Sequence, residues 1–101
     1  MSDKDDVELV HGSGNIYRDF GMENPELRQL KALLAAQILR VLEERKLTVR
    51  EAHDLTGYAA ADFSRIRQAK LDRFTVDRLM AMLDRLGQQV EVSVNVHPRA
   101  A

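Results

Sequence analysis

The chain has no cysteine anywhere in its 101 residues. That excludes a disulfide framework and any zinc site built on thiolates. No apolar run approaches the roughly 18 residues a membrane-spanning helix requires. The first ten residues, MSDKDDVELV, are acidic and lack the apolar centre of a signal peptide, so the expected location is cytoplasmic with no membrane partner. Enzyme signatures are missing as well. Gly12-Ser13-Gly14 lacks the strand–turn–helix setting of a phosphate cradle, and neither Ser13 nor Ser64 has a base close in sequence. His11, His53 and His97 are far apart and form no ligand-spaced pair. Neither an enzyme, a cofactor nor a bound metal is expected.

A surplus of one charge is also absent: 15 Lys and Arg stand against 16 Asp and Glu, a net charge of −1. The balance argues neither for nor against a polyanionic partner, but its distribution says more. Residues 1–8 hold Asp3, Asp5, Asp6 and Glu8 against Lys4, whereas residues 64–73 hold Arg65, Arg67, Lys70 and Arg73 against Asp72. A basic window in a near-neutral chain is either an electrostatic footprint for phosphate or a solvated helix face.

What is present suits one small domain with a single modest core: 45% apolar and 31% charged residues. Residues 1–23 are acidic and then punctuated by Gly12, Gly14 and Gly21, and read as an irregular arm whose Ile16, Tyr17 and Phe20 tuck against the rest. Asn24-Pro25-Glu26 is a helix start, with cap, first-turn proline and dipole-matched acid. Leu27, Leu30, Leu34, Ile38, Val41 and Leu42 recur at helical spacing on one face, which predicts a helix to about Arg45 and a Lys46-Leu47 link. Thr48 and Glu51 form a capping-box pattern for a second, short helix ending at Thr56, where Gly57 supplies a left-handed turn. A third helix is expected over about Ala60 to Gln68 with Phe63 and Ile66 inward. A fourth follows Thr75, buries Val76, Leu79, Met80, Leu83 and Leu86, and ends at Gly87. From Gln89 to Val96, Val90, Val92, Val94 and Val96 alternate with Glu91, Ser93 and Asn95, a strand pattern. A lone strand needs a partner. Either the Val7–Val10 segment or the same strand of a second copy can supply it, and the second copy is favoured because a two-fold axis lets one good strand pair with itself. The expected organisation is therefore an arm over 1–23, a helical domain over 24–88, a dimerisation strand over 89–96 and a tail over 97–101.

Two short helices joined by a glycine-containing turn, with Phe63 and Ile66 pinning the second against the first, make a helix-turn-helix pattern. The segments LTVREAHDLTG, FSRIRQAKLDRFTVDRLMAMLDRLG and VEVSV resemble the Xre/Cro-repressor-like helix-turn-helix family. With GSGNIYRDFG upstream, they are similar to its branch of HigA-type antitoxins. The resemblance spans about residues 12–96. It implies a mainly α, lambda-repressor-like bundle of four to five helices with one C-terminal β-strand that forms a homodimer.

The resemblance also implies double-stranded DNA as partner, at an inverted-repeat operator, with repression of the protein's own operon. It places base reading at Ala60, Ala61, Ser64 and Arg65, and phosphate binding at Thr48, Arg50, Arg67, Gln68, Lys70 and Arg73. Arg65 is the candidate for a bidentate guanine contact, and the two alanines offer only apolar contact, for instance to a thymine methyl. Asp62 could accept from cytosine N4, but near phosphates it is expected instead to be a cost to binding or a dipole-favourable residue facing away. Two positions depart from the family. His53 stands four before the turn glycine, where a small residue is usual, and Thr56 takes the apolar place just before it. A rival expectation is a protein-interaction antitoxin that neutralises a RelE-like toxin through the acidic arm with weak or no DNA readout. A prophage-type repressor would use the same chemistry.

Overall fold

Among residues 25–99, the part of the chain described by the computed structural model, four helices carry the regular structure. They are α1 (Pro25–Glu44), α2 (Val49–Thr56), α3 (Ala60–Arg67) and α4 (Val76–Arg85). The expected Asn24 cap, the arm over 1–23 and the Val7–Val10 segment lie outside the described residues.

Local capping sets the boundaries. Thr48 Oγ1 accepts from the Glu51 N–H at 3.0 Å while Glu51 Oε1 accepts from the Thr48 N–H at 2.9 Å, the complete reciprocal box. Thr75 caps α4 by accepting from the Arg78 N–H at 3.0 Å. At the other ends, Gly57 and Gly87 take left-handed φ values of 84° and 82°. A Cβ added at either would meet nothing within 4 Å. Glycine is therefore used at both for its backbone freedom and not for space.

Two helices end in the same left-handed geometry without glycine. Lys46 (φ 55°) follows α1 and Ala69 (φ 60°) follows α3. After α3 the Lys70 N–H reaches Arg65 O at 2.9 Å and the Ala69 N–H reaches Ile66 O at 3.0 Å, the two bonds of a Schellman closure. An alanine there carries steric strain of about 1–2 kcal/mol, against which glycine loses roughly 0.5–1 kcal/mol of chain entropy. Ala69→Gly should raise the unfolding free energy by about 0.5–1 kcal/mol, read as a higher urea midpoint at unchanged slope. A lower midpoint would contradict this account.

The core is shared by all four helices. α1 lends Ile38, Val41 and Leu42, α2 lends Ala52, α3 lends Phe63 and Ile66, and α4 lends Leu79, Met82 and Leu83, all buried. Each large side chain so buried contributes about 1.5–3 kcal/mol relative to exposure. α1 packs chiefly on α4 and α2 chiefly on α3, and smaller contacts tie the two pairs together. Two arginines add fastenings across long sequence distances, one within the α1–α4 pair and one between the two pairs. Arg45 donates to Leu86 O at 3.0 Å, and Arg85 donates to Thr56 O at 3.3 Å. Carbonyls left over at two helix ends are thereby satisfied.

From Gln88 to Arg99 the chain forms neither helix nor strand. A strand exists only when a neighbour completes its ladder, and the described residues of the single chain offer none. Val90 packs against the core, whereas Val92 and Val96 are exposed. No helix among the described residues is long and apolar enough to cross a membrane.

Candidate nucleic-acid interface

The α2–α3 corner is built from a turn tied down by Thr56 and His53. Thr56 is 2% exposed, yet its Oγ1 donates to Ala52 O at 2.7 Å and accepts from the Tyr58 N–H at 3.1 Å. A buried hydroxyl with both functions satisfied can occupy an otherwise apolar place without penalty. His53 Nδ1 lies 2.9 Å from Tyr58 O. A carbonyl only accepts, so Nδ1 carries the hydrogen in this contact. His53 is exposed and leans along the turn. The small residue buried at the helix approach is Ala52, one position earlier than the resemblance suggests, and it is fully buried.

α3 has one inward and one outward side. Phe63 and Ile66 are buried. At 3.6 residues per turn the opposite ridge carries Ala60, Ala61, Ser64, Arg65 and Gln68. All four expected base-reading residues therefore share one side of one helix. Ala59 precedes α3 without a side-chain cap, which leaves first-turn N–H groups turned toward whatever lies beyond the helix start.

The six expected phosphate residues fall into two groups. Lys70 and Arg73 surround one shallow hollow together with Arg65, Ala69 and Asp72, just past the end of α3 and next to Gln68. Thr48 and Arg50 stand at the start of α2. Arg67 belongs with this second group and not with the outward ridge. Its guanidinium turns back toward the α1–α2 link and donates to Leu47 O at 3.5 Å, the long limit of a hydrogen bond. Within the described residues Arg50, Lys70 and Arg73 enter no ion pair, so their charge is available to an anionic partner. Two donors at the start of α2 are already occupied, because Glu51 Oε1 accepts from the Thr48 N–H and Thr48 Oγ1 accepts from the Glu51 N–H.

Asp62 bridges two arginines. Its Oδ1 accepts from Arg65 Nη1 at 2.9 Å and its Oδ2 accepts from Arg78 Nη2 at 2.8 Å. The Arg78 guanidinium carbon lies 5.4 Å from the Tyr58 ring centroid, a cation–π distance. Sequence reasoning missed Arg78 and Tyr58. The one available signal was the lone acid in an alanine-rich first turn, and it does not name a partner 16 residues away. No group of three or more metal-ligating side chains occurs among the described residues.

This arrangement offers a partly exposed helix ridge with one guanidinium, flanked on two sides by cations that enter no ion pair among the described residues, which is suited to a groove lined by phosphates. The helix-turn-helix domain family matches residues 16–95 of the chain. No curated protein and no solved structure matches it.

Proposed function

The chain belongs to the helix-turn-helix domain family, and from that membership we propose that it is a homodimeric, sequence-specific DNA-binding regulator. α3 of each protomer lies in the major groove, and the two half-sites of an inverted repeat are about one helical turn apart. The observation that carries this reading is the outward ridge of α3, backed by buried Phe63 and Ile66. Ser64 and Arg65 read base edges, while Ala60 and Ala61 allow close approach and contact methyl groups. Thr48, Arg50 and Arg67 hold phosphates on one side of the groove, and Gln68, Lys70 and Arg73 hold them on the other. Residues 89–96 pair across the two-fold axis, which suits the exposed Val92 and Val96.

Arg65→Ala tests the reading. Its preference for the promoter of its own gene over random duplex should fall by about 1–3 kcal/mol, or roughly five- to 150-fold. Loss of each phosphate contact should instead flatten the salt dependence by about 0.9 in slope. A wild-type protein that shows no preference between the two duplexes at moderate salt would end this reading.

The resemblance to HigA-type antitoxins supports a finer form, in which the operon repressed is the protein's own and a RelE-like toxin is a second partner. Asp3, Asp5, Asp6 and Glu8 against a single Lys4 favour it, since an acidic arm steers toward a basic protein. The product of the adjacent reading frame should co-purify with the full chain and be lost when residues 1–23 are removed. Equal retention by both would remove the arm from the contact.

A further inference from the structure

Asp62 sits in the first turn of α3 with its side chain 13% exposed, and both carboxylate oxygens are taken by arginines. Each arginine is held by one Nη only: Arg65 by Nη1 and Arg78 by Nη2. A guanidinium has five N–H donors in a rigid fork. Arg65 therefore keeps Nε and Nη2 for other acceptors, and guanine O6 and N7 need two such donors side by side. An arginine on a ridge of otherwise short side chains and one glutamine would sample many rotamers; anchoring one nitrogen removes much of that freedom before any base arrives. Arg78 is fixed from two directions, by Asp62 Oδ2 and by the face of Tyr58. It remains 47% exposed beside the start of α3.

Resting on the DNA-binding reading above, we infer that Asp62 is the positioning residue for base readout. It fixes Arg65 in the orientation that reads one base pair, and it places Arg78, which the sequence pattern did not single out, against a backbone phosphate. A carboxylate beside a polyanion weakens binding to every sequence. It is kept because the ordered arginine discriminates where a mobile one would not. The first turn of α3 is thus poor in reading groups and carries an acid because its task is to orient the next turn.

This assignment has a signature that a purely structural role lacks: removal of Asp62 moves affinity and selectivity in opposite directions. Duplexes enriched by the wild-type protein from a randomised pool, and the unselected pool itself, serve as probes. Asp62→Asn should bind the unselected pool more tightly than wild type, while its preference for the enriched duplex falls roughly five- to tenfold. Arg65→Lys keeps the charge but not the fork, and should lose the same preference. The double variant should lose no more than either single one, since the two residues act as a unit. Arg78→Ala should weaken binding to both probes alike and flatten the salt dependence. Asp62→Asn with full preference, or with equal weakening on both probes, overturns the inference while leaving the DNA-binding reading in place. Additive losses in the double variant overturn it too, and if Asp62→Asn fails to fold, Asp62→Glu takes its place: it keeps the charge but shifts the carboxylate, and full preference for the enriched duplex in that variant overturns the inference. Failure of the wild type to enrich any sequence overturns the DNA-binding reading and this inference with it.

Discussion

The paired substitution Val92→Glu and Val96→Glu should lower affinity for a two-half-site operator by roughly 10²–10⁴-fold while leaving the folded protomer intact. In the single chain the two valines are 46% and 76% exposed, so changing them should move protomer stability by no more than about 0.5 kcal/mol. In an antiparallel pair across a two-fold axis the same two positions face the partner strand, and each new carboxylate meets the charges of the second copy. Without the pair, each reading helix binds its half-site alone and the gain from linked binding is lost. If the proposed dimer forms, sedimentation should show the wild type as a dimer and the variant as a monomer at the same concentration. Gel shifts should show the same affinity for one half-site as for two. A variant that stays dimeric and binds the full operator normally would place the dimer contact elsewhere.

Phe63→Ala should cost about 3–5 kcal/mol of stability. Phe63 is the largest of the fully buried side chains and 0% exposed. It is one of two residues of α3 buried in the core, the other being Ile66. Small domains are stable by about 5–15 kcal/mol in all, so the loss takes a large share of the total. Helices of this length do not persist without packing, so α3 should be the first to fray, and DNA binding should fail with it. The urea midpoint measures the effect, with Leu33→Ala, whose side chain is 55% exposed, as a control expected within about 0.5 kcal/mol of wild type. A Phe63→Ala protein as stable as that control would mean that α3 is held by something other than its buried face.

These two outcomes depend on different levels of organisation, and the sequence was legible at only one of them. The starts of α2 and α4 at Thr48 and Thr75 could be read directly, as could the left-handed stops at Gly57 and Gly87. So could the inward placement of Phe63 and Ile66. The expected third helix, Ala60 to Gln68, differs from α3 by the single capping residue Gln68. The Val90-to-Val96 alternation was just as legible, but a strand is a property of two strands, and one chain's described residues do not contain the second.

The candidate interface divides in the same way. That Ala60, Ala61, Ser64 and Arg65 share one side of a helix follows from the helical repeat once Phe63 and Ile66 are known to be inward. That Arg67 turns back to Leu47, that Ala52 and not the residue four before Gly57 takes the close approach, and that Asp62 joins Arg65 to Arg78 could not be read this way. Each depends on how neighbouring helices are set against one another. The boundary is physical. Caps, turns and apolar faces arise from interactions between residues three or four apart, which the order of amino acids determines by itself. The partners of Asp62, Arg67 and Arg85 lie 16, 20 and 29 residues away, and only the packing of the helices against a common core decided which groups would meet.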